Sequence, residues 1–234
     1  MIYKKRFYLD LITIVLGILL FITFVLSVIY LYTGWLTPKF ADLIAGLITG
    51  LFVACVQVGL SWYEYKKIDK FTDMKVLDVR SDRDSREFYE NLIKESKRQI
   101  DIMGVTADRL IDHFADIDGD QERAKVLLRA LNKKVKVRIL LPEKEYIDST
   151  KSSTFDSVKL KLEKLEKEYP LLEYRYFSYS PKHSIFRIDD TCILGPVFPE
   201  RQSRDTPAIH FDSSSPFASK YLEHFEHEWE NANA

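Results

Sequence analysis

The stretch PKHSIFRIDD, residues 181–190, gathers the side chains best suited to chemistry on an anion. In an extended strand, alternate side chains share a face. His183, Ile185, Arg187 and Asp189 then look one way and Lys182 the other. An imidazole and a guanidinium on one face can both approach an anionic ligand. Downstream, PERQSRD places Arg201 and Arg204 in a loop able to reach in. His183, Arg187, Asp189, Arg201 and Arg204 are therefore the expected ligand-binding set. The plain alternative is that His183 is a strand residue with a satisfied hydrogen bond.

Other clusters point less clearly to chemistry. HFEHEWE brings His224, His227 and Glu228 together near the end of the chain. Its spacing is not that of an H-E-x-x-H metal helix, and a solvated charged face is expected. DIDGDQE, residues 116–122, is too short for a twelve-residue calcium loop and reads as a turn with Asp120 capping a helix. Gly104 to Thr106 leads into a helix start, the kind of junction that can hold an anion. No P-loop, G-x-S-x-G or zinc-knuckle spacing is present, and neither metal nor cofactor is expected.

The elements that must position these residues follow from periodicity. SREFYENLIKESKRQ reads as a helix, IDIMGV as a strand, and Thr106 as the cap of a helix beginning ADRLIDHF. DQERAKVLLRALNKK reads as a further helix and VKVRILL as an alternating strand. Phe155, Val158, Leu162, Leu165 and Tyr169 recur at helical spacing. They form a stripe that suits a core-facing helix better than a coiled coil. LLEYRYF, HSIFRID, TCILG and AIHF read as strands. A last helix opens with Ser215 as cap and Pro216 in the first turn, burying Phe217, Tyr221, Leu222, Phe225 and Trp229. Alternating helices and strands predict an α/β domain with a mixed sheet flanked by helices, over residues 81–234.

The N-terminal third is different. Residues 11–36 and 43–63 carry no charged side chain, although the chain has a net charge of -1 and the mean hydropathy is only -0.17. Each stretch is long enough to cross a bilayer as a helix, which takes about 20 apolar residues. Residues 1–64 thus predict a two-span transmembrane hairpin, and residues 65–80 a helical connector. Lys4, Lys5 and Arg6 precede the first span, and Lys66, Lys67 and Lys70 follow the second. The positive-inside bias places both termini in the cytoplasm of a bacterial inner membrane. Trp35, Trp62, Tyr63 and Tyr65 fall where interfacial aromatics are expected. Gly46, Gly50 and Ala54 line one face of the second span, with Gln57 its deep polar side chain. That face predicts close helix packing and a homo-oligomer in the lipid bilayer. Cys55 and Cys192 lie too far apart in character to form a disulfide, which fits a reducing compartment.

IDIMGVTADRLIDHF…LLRALNKKVKVRILLP, KHSIFRIDDTCILGP and FASKYLEHFEHEWENA together resemble the phospholipase-D-like superfamily over most of residues 81–234. The resemblance implies that His183 and Asp190 match the His and Asp of its single H-x-K-x4-D motif. In that superfamily the His attacks phosphorus while the Lys holds the non-bridging oxygens. Here the Lys position is Ile185, and GPVFP at 195–199 stands where a Gly-Ser…Asn element is usual. One motif copy also means that a working site needs a dimer. Loss of the cation costs about 10²–10³ in rate on the scale of an oxyanion donor. If the chain is active, His183 and Asp190 are the catalytic pair; the substitutions weigh against it.

Three functions are therefore open. The architecture is similar to two-span effectors of bacterial antiphage systems, such as retron-associated membrane effectors. That implies a degenerate sensing domain that controls a membrane-perturbing hairpin, with a reverse transcriptase or nucleic-acid complex as partner. The alternatives are a membrane-tethered nuclease or phospholipase using His183, and an inert anchored scaffold.

Overall fold

The computed structural model describes residues 2–32, 38–119 and 121–233. The expected turn with Gly34 and Trp35 and the Asp120 cap lie outside the described residues. So do the side chains of Lys4, Lys5, Arg6, Tyr65, Lys66, Lys67 and Lys70. The chain divides into two compact units, Met1–Thr72 and Asp73–Ala234.

The first unit is helical. Helix α1 spans Ile2–Tyr32, and α2 spans Pro38–Asp73. Within them Ile12–Tyr32 and Lys39–Glu64 are long and apolar enough to cross a membrane. Large apolar side chains such as Phe21, Phe24, Phe52 and Leu60 are exposed. Helices apolar on all sides need an apolar solvent. Thr23, Ser27 and Thr49 turn their hydroxyls back onto carbonyls four residues earlier, which satisfies them without water. A Cβ added at Gly46 or Gly50 would meet nothing within 4 Å, so among the described residues nothing packs on that face. Gln57 is likewise exposed.

The second unit is a seven-stranded mixed sheet. The strands are β1 (Val76–Arg80), β2 (Gln99–Met103), β3 (Lys136–Pro142), β4 (Leu172–Phe177), β5 (His183–Ile188), β6 (Thr191–Pro196) and β7 (Ala208–Asp212), in spatial order β1-β7-β6-β5-β2-β3-β4. The β2–β3 and β3–β4 pairs are parallel and the others antiparallel. Helices α3 (Arg86–Glu95), α4 (Asp108–Phe114), α5 (Val126–Asn132), α6 (Ser152–Glu168) and α7 (Pro216–Asn231) complete the domain.

Strand alternation sorts the core into two layers. Ile100, Ile102, Val137, Ile139 and Ile188 pack with residues of α3–α6, including Ile93, Leu127 and Leu162. Met103, Leu140, Ile185, Cys192, Leu194 and Phe211 pack with Ala218, Phe225 and Trp229 of α7. Phe155, Val158, Leu162 and Leu165 are buried as a core-facing stripe, and Tyr169 follows the last turn of α6.

Four expectations need correction. The connector is helical only to Asp73; residues 76–80 are strand β1, an edge strand paired with β7. Thr106 does not cap α4. Ala107 holds that position with φ 57°, and Thr106 donates to Asp108 Oδ1 at 2.5 Å. The helix expected over 120–134 is shorter, a tight turn at Glu122–Lys125 followed by α5. On α7, Ser215 caps as expected, but Phe217 is 40% exposed and Ala218 takes the buried place.

Candidate functional site

His183 opens β5 and faces α7. Its ring lies 5.2 Å from that of Tyr221 and 5.0 Å from that of His224. The His183 Nε2 atom is buried without a hydrogen-bond partner among the described residues. Tyr179 Oη is 3.3 Å from His224 Nε2, and His224 Nδ1 is 3.7 Å from Glu228. Burial pushes the His183 pKa below its ordinary value; His224 adds to that and Glu228 opposes it. Burial, then Glu228, holds the Tyr179 phenol above its ordinary value. His224 is therefore part of the His183 cluster rather than of a solvated face, while His227 is exposed.

The other residues of the expected set do not join His183. Ile185 is 1% exposed in the core under α7, register-paired with Met103. Arg187 pairs with Asp101 at 3.4 Å and lies 3.8 Å from Glu226. Asp101, fully buried, also takes Arg138 Nε at 2.7 Å, and Arg138 makes a two-pronged contact with Glu226 at 2.7 Å on each prong. Burial works against the Arg138 charge, but the hydrogen bonds it donates to Glu226 and Asp101 leave its pKa raised. This network ties β2, β3 and β5 to α7, so Arg187 is a structural cation.

Asp189 sits at φ 49° and accepts three backbone N–H groups, from Lys97, Arg98 and Gln99, at 2.8–3.0 Å. Its carboxyl is held below the ordinary range: burial opposes this, but the three N–H groups prevail. It fastens the β5–β6 turn to the segment before β2 and turns no oxygen toward His183. Asp190 is exposed and pairs with Arg98 at 2.6 Å. Arg204 has an ion-pair contact with Asp205 and its carbonyl accepts from Arg83 N.

Arg201 lines a different feature, a cleft of about 390 Å³ on the α3–α4 side of the sheet. The segment from Met103 to Leu110 bounds it, with Ser184 and Phe186 of β5 and the loop after β6. Its cations are Arg83, Arg86, Arg109, Lys151 and Arg201, and His113 also lines it. Arg83 is buried; it donates to Thr206 Oγ1, Ser184 Oγ and, at 2.8 Å, the Pro196 carbonyl. Gly195 makes room for it: a Cβ there would lie 2.6 Å from Pro207 O and 3.1 Å from Arg83 Cζ. The sequence singled out only Arg201 of these cations, because they come from segments far apart in the chain.

No family model matches the chain. No curated protein sequence matches it. Among solved structures, it is similar to TrmBL2, described as an archaeal chromatin protein, with a TM-score of 0.44 and 15% identity over 81% of this chain and 69% of that one. Nuc from Salmonella typhimurium, described as a phospholipase D family member, gives 0.39 and 14% over 64% of this chain and 89% of its own. NucT from Helicobacter pylori gives 0.43 and 14% over 65% and 91%. All three scores lie below 0.5, so this likeness leaves the family of the chain open.

Proposed function

We propose that this chain is a membrane-anchored effector whose second unit is a phospholipase-D-like domain that binds rather than hydrolyses. The observation that carries this reading is the fate of the cation position. Two residues after His183, where phosphoryl chemistry needs a positive charge, Ile185 is sealed in an apolar core. The next cation on that face, Arg187, is committed to Asp101 and Glu226. The ring neighbours of His183 are Tyr221 and His224, not a lysine or arginine.

In this proposal α1 and α2 form the anchor, with both ends on the cytoplasmic side. Copies associate through Gly46, Gly50, Ala54 and Gln57, and release of the second unit lets the hairpin disturb the bilayer. The setting proposed is a bacterial antiphage system of the retron kind, with a reverse transcriptase or nucleic-acid complex as partner. The support is architectural: two apolar helices joined to a domain with a built cleft.

The test is inner-membrane potential and dye entry in bacteria expressing the wild type, His183→Ala or residues 1–72. His183→Ala is expected to match the wild type, and the isolated helices to depolarise the membrane. If His183→Ala alone abolished the effect, the tethered phosphodiesterase would be the better reading. One observation favours that second reading: the Nε2 of His183, without a hydrogen-bond partner among the described residues, is the atom a nucleophile would use.

A further inference from the structure

Among the described residues, the cleft on the α3–α4 side holds more positive charge than its carboxylates balance. Arg83 is 8% exposed, and its donors go to hydroxyls and a carbonyl, never to a carboxylate. Arg86 gives one N–H to the His113 carbonyl at 3.0 Å, while its Nε is buried with no partner among the described residues. Lys151 and Arg201 make no ion pair with the described residues. Arg109 does, with Asp84 at 3.3 Å. Among the described residues, the one carboxylate lining the cleft, Asp108, accepts from Thr106. A buried charge without a counter-charge is costly, and an anion in the cleft removes that cost. Burial, and after it Arg86 and Arg109, lowers the pKa of His113 in the lining, against Asp112 and Asp108.

The rest of the lining suits a ligand that is only partly charged. Tyr89 and Phe186 meet edge to face at 5.3 Å, and Phe114 lies under the Arg86 guanidinium. Phe198, 40% exposed on the loop after β6, has the Arg201 guanidinium over its ring at 6.0 Å and its remaining surface open to the cleft. An aromatic side chain can stack on the face of any nucleobase. A volume of about 390 Å³ falls in the range of small-molecule sites. The cleft also lies at the carboxyl end of β2, where the sheet changes from parallel pairing with β3 to antiparallel pairing with β5.

We infer that this cleft binds a small phosphorylated ligand with a flat ring, a mononucleotide in chemical class. Arg86 and Arg83 hold its phosphate and Phe198 stacks on its ring. The inference rests on the second unit being a binding module and adds the ligand class. Its failure would leave the account of His183 intact, because that account is tested by hydrolysis and not by binding.

The experiment is calorimetric titration of the full chain in detergent micelles with AMP, GMP, CMP and UMP. Adenosine, inorganic phosphate and sn-glycerol 3-phosphate are titrated in parallel. At least one nucleotide is expected to bind with Kd under about 1 mM, and adenosine not to bind. Arg86→Gln and Phe198→Ala should each weaken binding, the first roughly tenfold or more. Circular dichroism confirms that both variants fold, and Phe198, on an exposed loop, serves if Arg86→Gln does not. The proposal fails if no nucleotide binds, or if the folded variants bind as the wild type does. It also fails in its ring half if inorganic phosphate binds as tightly as the nucleotides. Binding of sn-glycerol 3-phosphate in their place would assign the cleft to a lipid headgroup instead.

Discussion

The rings of His183 and His224 lie 5.0 Å apart, one at the start of β5 and the other on α7. Protonating His183 there places a charge in a half-buried site beside a second imidazole. His113 and His210 are also held below the ordinary histidine value of 6.5, with burial the largest cause in all three. Below pH 6.5 the unfolded chain therefore takes up protons that the folded chain refuses, so stability rises with pH in that window. Asp189 and Glu226, whose carboxyls are held low, lose their contribution only under about pH 4.5. The melting temperature of the detergent-solubilised chain is expected to fall from pH 7 to pH 5, with a shallower fall in His183→Gln. An increase over that range would contradict the assignment.

Asp101 is fully buried between two guanidiniums, Arg138 and Arg187. Removing its charge while keeping its shape leaves Arg138 with Glu226 alone. Asp101→Asn should cost about 3–5 kcal/mol, the scale for breaking a buried pair from one side. Thermal melting of the full chain measures it. A change under about 1 kcal/mol would mean that Glu226 suffices.

Ile185→Lys recreates the lysine of the H-x-K pattern at a position with 1% exposure. The ammonium would enter the apolar layer under Phe225 and Trp229. The expected result is destabilisation of about 3–5 kcal/mol and no gain of phosphodiesterase activity. A stable, active variant would show that the site needed only its cation.

Gly195→Ala should be destabilising by about 1–3 kcal/mol, because its Cβ would collide with the Pro207 carbonyl and press on Arg83. If the cleft binds an anion through Arg83, the same variant weakens that binding as well. Titration and thermal melting of one preparation read both effects.

Much of this structure was legible from local pattern. Strands β2 to β7 were readable as strands, β3 by its alternation, and the buried stripe of α6 follows helical spacing. Strand β1 was not legible: it follows a long helix almost at once, and Leu77 and Val79 on this edge strand are exposed, so no buried alternation marks it. Pairing with β7, more than a hundred residues away, is what makes it a strand. The expected ligand set failed for a similar reason. Strand periodicity places Arg187 and Asp189 near His183, but partners distant in sequence, Asp101, Glu226 and the Lys97–Gln99 backbone, claim them. His224 joins His183 only because α7 packs across β5. The basic cleft is built from Arg83, Arg86, Arg109, Lys151 and Arg201, which no local window contains together.

The measurement that bears most directly on the central claim is hydrolysis of bis(p-nitrophenyl) phosphate by the purified full chain, wild type against His183→Ala. A domain with Ile185 in its core, and with Tyr221 and His224 as the ring neighbours of His183, predicts that neither protein exceeds the buffer rate. Turnover by the wild type that disappears in a folded His183→Ala variant would contradict it and make His183 the nucleophile of a tethered phosphodiesterase.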